Sequence, residues 1–303
     1  MVDVIIIGGG PAGMTAALYA LRNGKTALVL EKESFGGQIT HSPKVENYPG
    51  TLQMSGNEYA DRLLDQILAQ GAQIELEKAV AVEDHGESKT VLTEEGSRFE
   101  GRSVILATGV QHRMLGLEGE EELVGNGISF CAVCDGDFYA GKRAAVAGGG
   151  NSALQEAILL SEKCSEVVIL QDLPRCTGEQ RLQDVLFARP NVRLLTRVKI
   201  KSLAAEDGLL TGLTITQGDG PEELLPCDGL FVAVGLIPKN ESFSSLAALD
   251  AYGYFDADER CETRTKGIYV AGDCRRKTVR QITTAIADGA CAALAACRYL
   301  NGL

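Results

Sequence analysis

Histidine is scarce, basic residues are outnumbered, and no apolar run approaches the length of a membrane span. Each shortage removes a class of function. A bilayer crossing needs about 20 consecutive apolar residues, so no membrane association is expected. The 29 Lys and Arg against 41 Asp and Glu leave a formal net charge of -12. Neutralising a phosphate backbone needs clustered cations, so nucleic acid is not an expected partner. The three histidines, His41, His85 and His112, form no ligand motif, and without two further ligands a cysteine pair does not make a zinc site. Nine cysteines are an odd and scattered set, unlike the framework of a secreted disulfide protein. Most of those outside one close pair sit beside Ala, Val, Ile or Leu, where cysteine behaves as a small buried hydrophobe. Met1 runs straight into the apolar stretch Val4 to Ile7 with no basic leader or cleavage site, so a cytoplasmic location is expected.

What is abundant is glycine, 35 in 303 residues, beside 45% hydrophobic content. That length predicts two domains, and the composition suits a turn-rich α/β protein. The chain also repeats itself. "VDVIIIGGGPAGMTAALYALRNGKTALVLEK" opens it, and "KRAAVAGGGNSALQEAILLSEKCSEVVILQD" follows 140 residues later. Both read as a buried strand, a glycine turn, an amphipathic helix and a second buried strand. The first turn carries Gly8, Gly10 and Gly13, with Pro11 and Ala12 between them; the second carries Gly148, Gly150 and Ala153. Each is a G-x-G-x-x-G/A between strand and helix, the setting of a dinucleotide fingerprint. The first glycine permits the tight turn, the second lets backbone approach a pyrophosphate, and the third lets helix pack on strand. The helix N-terminus then offers open N–H groups to the phosphates. A lone turn of this kind can serve helix packing alone; two in register argue for nucleotide sites. Acids for a ribose diol are expected at Glu31, 23 residues after Gly8, and at Asp172, 24 after Gly148.

Downstream, "KTVLTEEGSRFEG" and "GLLTGLTITQGDG" read as small antiparallel meanders. Each leads to an apolar strand ending in glycine, "SVILATG" at 103–109 and "GLFVAVG" at 229–235. The fold class is therefore α/β: two doubly wound, Rossmann-like, three-layer modules. The amphipathic tail from Gly267 to Leu300 cannot bury its apolar face alone, and is expected to return as a strand and helix completing the first module. The second module is then inserted in the first.

Taken together, "GGGPAG", "GGQI" at 36–39, "VENYPG" at 45–50, "ATG" at 107–109, "CAVCDG" at 131–136, "GGGNSA" at 148–153 and "AGDCRRKTVRQITTAIADG" at 271–289 resemble the low-molecular-weight thioredoxin reductases. These are flavoproteins whose FAD module is interrupted by a pyridine-nucleotide module carrying a redox dithiol. The resemblance spans nearly the whole chain. It implies an FAD domain of 1–112 and 241–303, and a dithiol domain of 113–240. It places FAD on Gly8, Gly10, Pro11, Ala12, Gly13, Glu31, Gly37, Gln38, Asn47, Thr108, Gly109, Gly272, Asp273, Arg280, Gln281 and Ile282. In it Cys134 faces the flavin, Cys131 attacks the disulfide of thioredoxin or a thioredoxin-like protein, and Asp135 protonates the departing thiolate. Asp135 also suits a plain turn before Gly136. The resemblance further implies a homodimer, and a dithiol domain swinging between two poses about 113–117 and 236–240.

Exchange chemistry fits the C-x-x-C pair on physical grounds as well. A permanent staple across so short a loop adds little stability, whereas this spacing permits rapid ring closure and often lowers one thiol's pKa.

One stretch departs from the NADPH-dependent relatives. Their second module follows its last strand with H-R-R-x-x-x-R, which clamps a 2′-phosphate; here the stretch is "QDLPRCT", residues 171–177. Asp172 stands at an arginine position and would repel that phosphate while suiting a bare ribose hydroxyl. NADPH is disfavoured. Reduced ferredoxin is the favoured donor, NADH stays open because the second glycine turn is kept, and relatives that pass dithiol electrons to oxygen offer a reversed flow. A flavin-binding redox sensor without turnover is the reading from a different class.

Overall fold

A computed structural model describes residues 1–42 and 45–302, which form two compact units. One comprises 1–40, 48–111 and 237–302; the other comprises the described residues of 41–47 together with 112–236.

The first unit opens with β1 (Val2–Ile7), α1 (Pro11–Arg22) and β2 (Ala27–Leu30). Val4 to Ile7 and Ala27 to Leu30 are buried throughout, as both faces of a covered parallel strand must be. Then come α2 (Gly56–Ala69), β3 (Gln73–Glu75), β4 (Ala79–Asp84), β5 (Lys89–Thr93) and β6 (Arg98–Leu106). Ser55 caps α2 by accepting from Glu58 N at 3.0 Å. The sheet order is β3-β2-β1-β6-β5-β4. The meander and the apolar strand, expected as separate pieces, are here continuous: β6 pairs antiparallel with β5 through Arg98 to Gly101 and parallel with β1 from Gly101 onward.

The chain leaves this unit at the two-residue strand β7 (Gln111–His112). The second unit has β8 (Ile128–Ser129), α3 (Ala132–Asp135), β9 (Arg143–Ala147), α4 (Asn151–Ser161), β10 (Glu166–Gln171), α5 (Gln180–Phe187), β11 (Val192–Thr196), β12 (Val198–Glu206), β13 (Leu209–Gln217), β14 (Glu222–Pro226) and β15 (Gly229–Val232). Its parallel sheet runs β11-β10-β9-β15-β8, and β12-β13-β14 form a separate antiparallel sheet. Apolar clusters lie on both faces. Leu154, Ala157 and Leu160 of α4 pack with Val146, Ile169 and Phe231; Leu213 and Ile215 of the meander pack with Ala145, Val168 and Leu230.

The chain returns at β16 (Leu236–Ile237) and ends with β17 (Ile268–Val270) and α6 (Ile282–Leu300). β17 extends the first sheet beside Val104 to Leu106, and α6 lays its alanine-rich face against α1. Gly289 makes that approach attainable, because a Cβ there would stand 2.2 Å from the Ala12 carbonyl oxygen. The tail thus completes the first sheet, and the second unit interrupts the first in sequence.

Candidate functional site

In the first unit, the turn between β1 and α1 is built for close backbone contact. Gly8 takes φ +113°, where a side chain would also strike the Ala107 carbonyl at 2.2 Å. At Gly13 a Cβ would sit 1.8 Å from the Gly8 carbonyl. Gly10 is the N-cap of α1, Pro11 is its first residue with Ala12 next, and no side chain caps it. The first turn therefore presents unsatisfied N–H groups. Glu31, buried at the end of β2, accepts from Gly9 N at 2.7 Å, Lys32 N at 2.8 Å and Glu33 N at 3.1 Å. A carboxylate has about four acceptor sites, so this one orders the turn and keeps about one for a further donor. Gly36 N donates to Gly9 O, and Gly37 begins a short turn containing Gln38, which is exposed. Asn47 is exposed and falls in the 41–47 segment of the other unit.

The returning tail adds a second wall. Gly272 has φ +81° and its N–H donates to Asp288 at 3.1 Å. Asp273 Oδ1 is buried and has no hydrogen-bond partner among the described residues, and burial raises that carboxyl above its ordinary value. Arg280 Nε donates to Asp273 O at 3.3 Å while its guanidinium lies 4.2 Å from the Tyr254 ring centre. Gln281 caps α6 and Ile282 begins it. Thr108 Oγ1 meets Asn240 Oδ1 at 2.8 Å, and Gly109 has φ +66°. Asn240 is fully buried and donates to Gly253 O and Cys274 O, so it ties 108–109 to the tail. Behind Asp273, Asp288 takes both guanidinium arms of Arg275 (2.8 and 2.7 Å) and Lys277 Nζ (2.9 Å). Burial opposes its charge, yet the Arg275 and Lys277 hydrogen bonds hold its carboxyl below the ordinary value.

In the second unit, Cys131 and Cys134 are joined as a disulfide. Cys131 is the N-cap of the single-turn helix α3, where its sulfur accepts from Cys134 N at 3.2 Å. Asp135 closes that turn and is buried. Its Oδ2 accepts from the Ser129 hydroxyl at 2.6 Å, and the Ser129 oxygen accepts from Cys131 N at 3.1 Å; Oδ1 has no partner among the described residues. Burial raises this carboxyl, and the Ser129 bond only partly offsets that. A carboxyl that burial makes easier to protonate thus stands within one turn of both sulfurs. From α4, Glu156 Oε2 accepts from Ala132 N, the peptide between the two cysteines. Burial, with Asp135 adding like charge, pushes the Glu156 carboxyl up to about 7.

The second glycine turn repeats the first in detail: Gly148 has φ +120° and donates to Leu170 O at 2.9 Å, as Gly8 donates to Leu30 O at 2.8 Å. Strand register corrects one expectation. Leu170 pairs with Ala147 as Leu30 pairs with Ile7, so Gln171, and not Asp172, occupies the position of Glu31. Gln171 is buried, with its amide donating to Arg175 O at 3.1 Å and its side chain filling the space above Gly149. Asp172 and the Arg175 side chain are exposed. Counting 24 residues rather than 23 landed on an acid one step beyond the strand end. Among the described residues no group of three or more His, Cys, Asp or Glu could hold a metal ion. Outside the disulfide, six of the seven cysteines are buried and Cys291 is exposed.

Residues 2–289 match the pyridine nucleotide-disulphide oxidoreductase family. The chain is 39% identical over 302 residues to a thioredoxin reductase of Listeria monocytogenes, covering 99% of this chain and 94% of that one. It is 37% identical over 303 residues to one of Bacillus subtilis, covering 99% and 95%. The crystal structure of thioredoxin reductase from Streptococcus pyogenes superposes with a TM-score of 0.93 at 35% identity, over 100% of this chain and 99% of that one. The chain belongs to the thioredoxin reductase family. It is accordingly a flavoprotein oxidoreductase acting on a sulfur group.

The flavin of that family suits what the first unit offers. Open N–H groups at α1, glycines where a Cβ would block approach, and the buried Asp273 Oδ1, which lies 3.8 Å from Lys277 Nζ and accepts no hydrogen bond among the described residues, are the features an FAD pyrophosphate and ribityl chain would satisfy. Sequence inspection missed Asn240, Asp288, Ser129 and Glu156. Only Ser129, two residues before the motif, carried a local signal; the others reach their places through long-range packing.

Proposed function

We propose that the chain is a thioredoxin-disulfide reductase in which Cys131 and Cys134 carry the electron pair to thioredoxin or a thioredoxin-like protein. The observation that carries this reading is a bonded C-x-x-C with a buried, protonatable carboxyl, Asp135, on the same turn. FAD, held by the glycine turn, Glu31, the 108–109 and 272–273 backbone, Asp273 and the 280–282 segment, supplies when bound the two electrons that open the disulfide. Once open, the Cys131 thiolate attacks one sulfur of the partner's disulfide and expels the other as a thiolate. Cys134 then attacks the Cys131 sulfur of the mixed disulfide, so the Cys131–Cys134 bond re-forms and the partner leaves with both thiols. Asp135 gives its proton to a departing thiolate and regains one from solvent.

The donor lacks a 2′-phosphate. The clamp positions hold Gln171, Asp172, Leu173 and Thr177, and the strand-end position that would accept a ribose diol is a buried amide already engaged with Arg175 O. Neither a phosphate clamp nor a carboxylate for a diol is built there, which favours reduced ferredoxin over NADH. Anaerobic stopped-flow reduction of the flavoprotein by ferredoxin, NADH and NADPH, followed by mixing with oxidised thioredoxin, tests both parts. Fast bleaching by ferredoxin and thioredoxin reduction lost in C131S/C134S are expected. Rapid NADPH bleaching would overturn the donor assignment, and thioredoxin reduction surviving in C131S/C134S would overturn the dithiol.

A further inference from the structure

Glu156 has no part in the relay just described, yet its carboxylate accepts from the Ala132 N–H, on the peptide that directly follows Cys131 within the C-x-x-C turn. Any thiolate formed at Cys131 or Cys134 therefore lies within a few residues' reach of two carboxyls, Asp135 and Glu156, on a half-buried turn. We infer that Glu156 is a redox-linked proton site of the dithiol: it takes up a proton from solvent when the disulfide is opened and releases it when the disulfide re-forms. This rests on the reading that Cys131–Cys134 cycles.

The charge balance explains why. Opening the disulfide with two electrons adds two negative charges; one proton makes a thiol and leaves one thiolate beside the two carboxyls. Like charges gathered on and beside one helical turn disfavour one another, and a proton on one of the three lowers the total. Cations that would otherwise neutralise the cluster are engaged elsewhere. On the elements packed around α3 and α4, Lys163 pairs with Asp137, Arg143 with Asp228, Arg189 with Glu162 and Arg193 with Glu166, while Lys142 lies over the Tyr139 ring. The remaining titratable neighbours stay neutral, Tyr139 being pushed up to about 12 and Cys164 to about 11 by burial. Asp135 and Glu156 are left to share the response. Asp135 already has a hydroxyl donor in Ser129, whereas Glu156 sits near its half-protonation point at neutral pH. Glu156 is a positioning residue in this scheme, since it acts through the Ala132 peptide and its field and touches no reacting atom.

The test equilibrates the full-length flavoprotein with reduced and oxidised dithiothreitol between pH 5.5 and 8.5 and counts free thiols by alkylation. The wild type is expected to show a break in the pH dependence of the dithiol midpoint near pH 7. E156Q, whose amide oxygen can still accept from Ala132 N, should run straight through that region, and E156D should retain a displaced break. A purely structural anchor would shift stability and leave the break in place in E156Q, and that result would overturn the inference alone. If dithiothreitol cannot open the pair at any ratio, the cycling dithiol itself is wrong and this inference falls with it.

Discussion

Asp288 joins two buried cations to the backbone that leads into Asp273, and Asp288→Asn isolates that joint. Asp288, Arg275 and Lys277 each keep under a tenth of their side-chain exposure, so solvent does little to screen them. The substitution preserves shape and removes the charge, leaving the Arg275 guanidinium buried without its counter-ion and Lys277 Nζ with the more distant Asp273 Oδ1 at 3.8 Å. Breaking a buried pair in this way costs about 3–5 kcal/mol, and at about 2–4 °C per kcal/mol for a domain of this size the melting temperature should fall by about 6–20 °C. The pH dependence has a definite sign. Asp288 is held below its ordinary value in the fold, so its contribution is present above the unfolded carboxyl pKa and lost as pH falls through the depressed folded value. The deficit of D288N should therefore be full at pH 7 and shrink toward acid, below about pH 4. Flavin should also dissociate more readily, because Gly272 N loses a charged acceptor. Thermal melts followed by far-ultraviolet circular dichroism and by flavin fluorescence, with and without added FAD, measure all three. A fall under about 2 °C at pH 7, or a deficit unchanged at pH 3.5, would show that the triad does not stabilise this unit as argued.

Asp135→Asn should slow thioredoxin reduction by about 100-fold or more, the usual scale for a lost general acid, with flavin content unchanged; steady-state turnover checks it. Because burial raises the Asp135 carboxyl, its favourable contribution to the fold is present below the unfolded pKa and lost as pH rises through the folded one. D135N should accordingly gain stability relative to wild type toward alkaline pH. Asp172→Arg combined with Leu173→Arg restores two of the missing clamp positions and should create NADPH-dependent flavin reduction in stopped flow, with NADH less affected. No gain would mean that the second glycine turn no longer serves a nucleotide.

The two glycine turns, the strand–helix–strand repeat and the C-x-x-C were legible because each is a local device. Gly8 and Gly148 must adopt positive φ wherever a strand turns sharply into a helix, and that demand falls on residues within a few positions of one another. The tail's return was legible for a related reason, since an amphipathic helix without a partner in its own segment must find one elsewhere. Register was less legible. The difference between Gln171 and Asp172 is one residue, and only the pairing of Leu170 with Ala147 decides which side chain turns inward over Gly149, because successive residues of a strand point to opposite faces. Glu156, Asn240 and Asp288 lay beyond sequence reading altogether. Glu156 stands 24 residues from the Ala132 N–H it holds, and Asn240 stands 132 from Thr108. A lone acid or amide in a helix or loop looks like any solvated side chain until the sheet order brings its partner beside it. Local chemistry thus determined where this chain turns and which two sulfurs lie close enough to bond. The long-range packing of strands and helices decided which carboxyls are buried beside them, and burial is what moves their protons.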